Sequence, residues 1–301
     1  MKGIILAGGV GSRLYPSTGS ISKQLLPVYN KPMIYYPICT LMKAGISEIL
    51  IIVAEGQVSV FRQLLGNGSQ WGIHIQYEEQ IVPDGVASSL KIADKFVGDD
   101  CCTLILGDNL FYGEDVERLL LEATIEARRN NLSSVFGCEV KDPQRFGVVE
   151  FNKNGRVTSL VEKPKNPPSN YAVTGLYVYS RGVIDRVSEL QKSARNEYEI
   201  TDLNNLLIKD ETLLVKLLGE NTTWLDTGTF ESLLKASEFI SSIENTKNIL
   251  VSCPELTAYT RGFVTLEQLV NTTAANASSP YGEYIRQVLQ SIYESNGGDT
   301  D

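Results

Sequence analysis

The chain has 301 residues, 43% hydrophobic and 21% charged, with 25 Gly and 11 Pro spread along it, which excludes a disordered or fibrous protein and suits a large α/β domain with an appendage. Lys plus Arg number 27 against 36 Asp plus Glu, a net charge of −9 that gives no basis for a non-specific grip on nucleic-acid phosphates. The single histidine, His74, lies in the alternating run Gly72-Ile-His-Ile-Gln-Tyr77 and reads as a plain strand position, so Ser-His-Asp, Cys-His and His-rich zinc chemistry lose their basis.

In chain order the pattern predicts a strand at 3–7, a helix at about 31–44, a strand at 48–53 and a helix near 58–65. It continues with a strand at 74–77, a helix at about 86–96, a strand at 102–106 and a helix at about 116–129. Ile49-Leu-Ile-Ile-Val53 and Thr103-Leu-Ile-Leu106 are apolar throughout, as parallel strands covered on both faces are. Strands at 134–138, 148–151, 157–161 and 173–179, with turns such as Asn152-Lys-Asn-Gly155, predict hairpins beside the sheet. Beyond Trp224 the chain reads as helical over 230–243, about 266–270 and 281–293, ending in a frayed tail, 295–301. The expected architecture is a mixed, mainly parallel doubly wound (Rossmann-like) α/β sheet with helices on both faces, a β-hairpin region and a C-terminal helical appendage. We divide it into an α/β domain at 1–244, with halves over about 1–130 and about 131–230, and a helical segment at 245–301.

Cys39, Cys101, Cys102, Cys138 and Cys253 form no CxxC pair, are odd in number and sit mostly among apolar residues, which fits a reducing compartment. Strand-like sequence follows Met1-Lys2 directly, and no apolar run approaches the roughly 18 residues of a membrane span, so a cytoplasmic protein is expected. On that reading the Asn-x-Ser/Thr triplets at Asn67, Asn131, Asn221, Asn271 and Asn276 are chance.

The first strand runs into Leu6-Ala-Gly-Gly-Val-Gly-Ser-Arg-Leu14, whose glycines let backbone amides approach an anion closely. It is neither a Walker loop nor a full GxGxxG, and alone it also reads as a tight turn without a ligand. Arg13, and Lys23 in Ser22-Lys-Gln-Leu-Leu-Pro27, put two cations beside it, an arrangement for a polyphosphate unless both are solvated surface charges. Asp108 follows a buried strand at the carboxyl end where open α/β sheets bind ligands, although it also suits a turn. Asp226, in Trp224-Leu-Asp-Thr-Gly-Thr229, could complete a hard-oxygen Mg²⁺ site with Asp108, or cap the helix beginning near Phe230.

These blocks, with Lys31-Pro-Met-Ile-Tyr-Tyr-Pro37, Leu106-Gly-Asp-Asn109, Glu162-Lys-Pro164, Asn170-Tyr-Ala-Val-Thr-Gly-Leu-Tyr177 and Glu199-Ile-Thr-Asp202, closely resemble the sugar-1-phosphate nucleotidylyltransferases. Within them the match is to the glucose-1-phosphate thymidylyltransferase branch, and it runs in order along nearly the whole chain. The resemblance implies that glucose 1-phosphate attacks the α-phosphorus of dTTP, pyrophosphate leaves, and dTDP-glucose forms for deoxysugar (dTDP-rhamnose) synthesis, with no covalent enzyme intermediate. It implies that Arg13 holds the leaving pyrophosphate, that Lys23 faces the reacting phosphates, and that Asp108 and Asp226 carry Mg²⁺. Lys163 and Arg195 would bind the sugar phosphate, with Gly147, Glu162 and Val173 along the sugar hydroxyls. Gln80 and Gly85 correspond to the base-reading segment, with Gln24 and the backbone of Leu6, Gly8 and Gly9 near the nucleoside.

Two departures matter. Val86-Ala-Ser-Ser89 stands where the family commonly reads Leu-Ala-Gln-Ala, close to where base and sugar would meet, which leaves UTP or another hexose 1-phosphate open. The longer family members are homotetramers with a feedback nucleotide site at a subunit interface. Ser252-Cys-Pro-Glu255 matches that region, but Glu114 stands where His is usual, and in Tyr259-Thr-Arg261 the Arg falls one position late. A non-catalytic nucleotide-binding subunit is the remaining alternative, disfavoured by the intact Arg13, Lys23, Asp108, Lys163 and Asp226.

Overall fold

The computed structural model describes residues 1–9, 11–273 and 278–295; Val10 of the glycine loop, Asn276 and the tail 296–301 lie outside them. The first half alternates β1 (Lys2–Ala7), the two-residue strands β2 (Pro27–Val28) and β3 (Lys31–Pro32), α1 (Tyr35–Lys43), β4 (Glu48–Ala54), α2 (Val58–Leu65) and β5 (His74–Gln80). Then come α3 (Ser88–Ile92), α4 (Asp94–Val97), β6 (Cys102–Leu106), β7 (Asn109–Tyr112) and α5 (Glu114–Asn130). The second half holds β8 (Ser133–Glu139), β9 (Gly147–Phe151), β10 (Val157–Glu162), β11 (Tyr171–Tyr179), α6 (Val183–Val187), α7 (Ile200–Lys209), β12 (Leu213–Leu217) and β13 (Thr223–Asp226). Four helices follow, α8 (Phe230–Lys247), α9 (Pro254–Thr260), α10 (Leu266–Thr273) and α11 (Pro280–Ser295).

Nine strands form one sheet in the order β10-β9-β11-β6-β1-β4-β5, with β8 and then β12 branching from β11. Strands β6, β1, β4 and β5 are parallel, and β11 pairs antiparallel with β6. The apolar strands bury both faces, as their composition requires. Ile4, Leu50, Ile52 and Leu104 point into one core, with α3, α4, α6 and α7 over it. Ile5, Ile49, Ile51 and Ile105 point into the other, which α1, α2, α5 and the C-terminal helices α9 to α11 cover. Burying this apolar area at about 25 cal/mol per Å² is the main force holding the layers together.

Several boundaries differ from the sequence pattern. The helix expected from residue 31 starts at Tyr35, because Lys31 and Pro32 first pair with Val28 and Pro27. The helix expected over 86–96 is two short pieces meeting at Ala93. Short strands β7, β12 and β13 and helices α6 and α9 carried too few periodic residues to be read, whereas α7, with Ile200, Leu203 and Leu207 on one buried face, has a helical period that sequence reasoning missed. His74 opens β5 opposite Glu48 and is exposed, a strand position as expected. The hairpin β9–β10 is antiparallel across the Asn152–Gly155 turn. Cys39, Cys101, Cys102 and Cys253 are buried, and all five thiols are free. Among the described residues no helix is long and apolar enough to cross a membrane.

A third core of Val28, Met33, Tyr36, Leu110, Ala236, Ile240 and Val251 joins α8 to the body. At its edge the buried Lys31 reaches Glu244 at 2.7 Å, and Glu244 also accepts from Asn30 Nδ2 at 2.6 Å and the Val251 amide at 2.8 Å. Removing one partner of such a pair strands a buried charge. Lys31→Met is therefore expected to lower stability by roughly 3–5 kcal/mol, read as a shift of the urea midpoint, a loss that a Lys31→Met/Glu244→Leu double variant should largely recover.

Candidate active site

On the carboxyl side of the sheet β6 stops at Leu106, and beyond it β11 is flanked by β9 instead. The pairing of β11 shifts between Val173 and Tyr177, around Gly175. A side chain at Gly175 would lie 2.6 Å from Asn109 Oδ1 and 2.7 Å from Leu106, so glycine is required there for the close approach. This break opens a cavity of about 440 Å³, lined among others by Arg13, Asp108, Gly147, Glu162, Lys163, Val173 and Asp226.

The two acids meet because β7 and β13 pair antiparallel, setting Asp226 opposite Asn109, the residue after Asp108. The Thr227 amide and hydroxyl both donate to the Asp108 carbonyl, at 3.2 and 2.9 Å. Asn109 links the surroundings: its Nδ2 donates to Asp108 Oδ1 at 2.9 Å, while its Oδ1 accepts from the Gly175 amide at 2.9 Å and from Trp224 Nε1 at 2.6 Å. The helix-cap reading of Asp226 is corrected. Thr229 caps α8, its hydroxyl accepting from the Ser232 amide at 3.2 Å and its own amide donating to Ser232 Oγ.

The acids differ electrostatically. Burial pushes the Asp108 carboxyl up, but the buried Lys23 ammonium at 2.5 Å and the Asn109 amide outweigh it and hold it below the usual carboxylate range. Burial and then the charge of Asp108 push Asp226 above that range, against the pull of Lys23, Arg145 and Arg13. Arg13 comes close because Gly228 has no side chain, since a Cβ there would stand 2.8 Å from Arg13 Nη2 and 3.2 Å from Asp226 Oδ2.

On the far wall Glu162 accepts from Thr201 Oγ1 at 2.5 Å and Arg195 Nη2 at 3.1 Å. Gly147 packs beside that pair, as a Cβ would lie 3.1 Å from Thr201 Oγ1 and 3.4 Å from Glu162 Oε2. Lys163 turns at a φ of 42°, a left-handed conformation costly for lysine, with its amide on the Phe146 carbonyl and its ammonium 3.4 Å from Glu162. Arg195 does not line the cavity directly. It pairs instead with Glu199 at 2.6 Å, Glu162 at 3.1 Å and Glu197 at 3.6 Å.

The remaining candidates gather beyond the ends of β1 and β5. Gln24 packs on Gly107 beside the Leu6 carbonyl, while Gly8 faces Gln80, whose Oε1 would be 2.5 Å from a Cβ. Gly9 is exposed. Ser88 donates its hydroxyl hydrogen to the Gly85 carbonyl at 2.7 Å and accepts from Gln80 Nε2 at 3.0 Å, which turns the Gln80 carbonyl oxygen toward Gly8. Gly85, at a φ of 110°, packs against the backbone of Tyr198, whose carbonyl would be 2.4 Å from a Cβ. Sequence reasoning missed Asn109, Arg145, Thr201 and Trp224 as cavity residues. Trp224, Asn109 and Thr201 stood inside quoted motifs, but nothing in the run Asp142-Pro-Gln-Arg145 signals a contact with Asp226.

A second cleft of about 410 Å³ is lined by Glu114, Asp115 and Glu117 together with Lys43 and Lys247, so its carboxylates outnumber its amines.

The family model described as nucleotidyl transferase matches residues 2–243, and the chain belongs to that family of enzymes. Its particular likeness is to glucose-1-phosphate thymidylyltransferases. The one from Neisseria meningitidis is 47% identical over 96% of this chain and 100% of its own length, and the one from Xanthomonas campestris is 48% identical over 94% and 95%. A solved structure described as a glucose-1-phosphate thymidylyltransferase from Bacillus anthracis, in complex with sucrose, superposes with a TM-score of 0.73 at 40% identity, covering 79% of this chain and 94% of that one.

A carboxyl whose pKa is raised by folding contributes full stability below its unfolded pKa and loses it as pH rises through the folded value, so ionised Asp226 destabilises the protein at neutral pH. Asp226→Asn should melt at a higher temperature than wild type at pH 7, and the gap should close as the pH falls below the ordinary carboxylate range. Thermal denaturation across that range checks the sign.

Proposed function

We propose that the chain transfers a thymidylyl group from dTTP to α-D-glucose 1-phosphate, giving dTDP-glucose and pyrophosphate, with Mg²⁺ as cofactor. The observation that carries this reading is the convergence of Asp108 and Asp226 with Arg13 and Lys163 about one cavity, from stretches far apart in sequence, with the buried Lys23 paired to Asp108. A phosphate oxygen of the sugar phosphate forms the new bond to the α-phosphorus while the bond to pyrophosphate breaks. The nucleophile arrives already anionic, so no general base is needed, which suits a chain whose one histidine is exposed. What remains for the protein is alignment and charge.

Lys163, open to the cavity, takes the phosphate of the incoming sugar, and Arg195 supports that wall through Glu162. Glu162, Gly147 and Val173 face the sugar hydroxyls. Lys23 offers its ammonium to the reacting phosphates, and Arg13 holds the leaving pyrophosphate from beside Gly228. The nucleoside lies along Leu6, Gly8, Gly9 and Gln24, with its base toward Gln80 and Gly85.

Asp108 and Asp226 are the residues that would hold Mg²⁺, and their chemistry fits. Among the described residues no group of three or more His, Cys, Asp or Glu could hold a metal unaided, whereas two carboxylates completed by substrate phosphates and water form the usual Mg²⁺ set. The like charge that raises Asp226 is what a dication relieves. Bound there, the ion supplies Lewis-acid stabilisation of charge on the phosphates.

Preference for dTTP over UTP turns on one methyl group, worth about 1–3 kcal/mol in an apolar pocket. The second cleft is assigned no nucleotide, because its acidic lining opposes an anionic effector.

Pyrophosphate release should be fast with dTTP and glucose 1-phosphate, slower with UTP, and abolished by EDTA. Asp108→Asn, Lys23→Ala and Arg13→Ala should each lower turnover by roughly 10² or more, the size expected on losing one preorganised charge partner. A near-full rate in any of them removes that residue from its role.

A further inference from the structure

Both acids of the cavity already have cations, but the two pairs differ in kind. Lys23 is buried, with a side chain only 7% exposed, and sits on Asp108 at 2.5 Å. Asp226 is met instead by Arg145, whose Nη2 donates to Oδ2 at 3.3 Å and whose side chain is 41% exposed. Among the described residues no other side chain donates a hydrogen bond to Asp226. Arg145 also has a resting place independent of that contact. Its Nη1 donates to Asp142 Oδ2 at 2.8 Å, and its guanidinium lies 5.1 Å from the centre of the Phe146 ring. Phe146 in turn packs 5.0 Å from Trp224, two residues before Asp226. One arm is thus anchored outside the site while the other reaches the carboxylate, and the long 3.3 Å contact is the one that yields first.

We propose that Arg145 is a resident counter-ion for Asp226, holding the carboxylate in the ligand-free protein and releasing it when a divalent cation takes its place. The proposal rests on Asp108 and Asp226 being the ion's ligands. Arg145 keeps its anchor on Asp142 throughout, so its freed arm stays in the cavity and faces the anionic substrate. Binding of the ion then exchanges one positive charge for another at Asp226, and its affinity before substrate arrives is lower than the carboxylates alone would give.

The test is a titration of the protein with Mn²⁺ alone, reading free ion by electron paramagnetic resonance with no nucleotide present. Arg145→Gln should bind Mn²⁺ roughly two- to fivefold more tightly than wild type, the factor carried by one partly exposed ion pair. Asp142→Asn removes the outer anchor, leaves Arg145 to Asp226 alone, and should bind more weakly than wild type. In an Asp226→Asn background the Arg145→Gln gain should vanish. Unchanged or weaker Mn²⁺ binding in a folded Arg145→Gln protein overturns the proposal, and if that variant fails to fold, equal or tighter binding in Asp142→Asn overturns it. Wild-type protein that binds no Mn²⁺ at these carboxylates refutes the underlying assignment of the ion site instead.

Discussion

Two carboxylates held side by side repel, and in this protein the backbone forces them together. Pairing of β13 with β7 and the double donation from Thr227 set Asp226 next to Asp108, and Asn109 fixes the corner by bonding Asp108, Gly175 and Trp224 at once. The surrounding charge answers that repulsion. Lys23 keeps Asp108 ionised, while Asp226, with weaker partners, stays the strained member of the pair. A site with one settled and one unsettled acid is poised to take a cation, at a cost in stability that a purely structural cluster would not retain.

The protein as a whole is acidic, with a net charge of −9, yet the walls of the cavity present Arg13, Lys163 and Arg145. Each cation is tethered by a specific device: Gly228 makes room for Arg13, a left-handed turn aims Lys163, and Asp142 with Phe146 perches Arg145. Within the same lining these three cations balance the three carboxylates Asp108, Glu162 and Asp226, so the cleft offers an anion separate cations while its acids stay available to a dication. The two sides of the cleft are also bolted together away from the chemistry. Tyr198 donates to the Asp84 carbonyl at 2.7 Å and accepts from the Ala87 amide at 3.2 Å, with Gly85 fitted between. The loop after β5 is thereby joined to the segment that carries Arg195 and Glu199.

Much of this was legible in the residues. The apolar runs at 49–53 and 103–106 and the alternation at 72–77 require strands of different burial, and the parallel centre follows from them. Arg13, Lys23, Asp108 and Asp226 stand out because charged residues beside glycine turns at strand ends are seldom there for packing. Arg145 carried no such signal, since an Arg after Asp-Pro-Gln is an ordinary surface residue until a distant strand folds over it, whereas Thr201 stood inside the Glu199-Ile-Thr-Asp202 block without a role of its own. Asp226 was ambiguous for a related reason: a cap is a local contact and a cleft a distant one, and the same residues serve either until Thr229 is seen to make the cap.

The chain by itself determined the layers of the fold, the buried strands and the stock of charged groups, because periodicity and side-chain chemistry are local properties that no partner alters. Only the tertiary structure decided which charges meet, since those distances depend on how β7 finds β13 and where β6 stops beside β11. Local sequence carries no measure of that pairing. It also decided that Arg195 pairs with Glu162 and that Arg145 reaches Asp226 across 81 residues of chain.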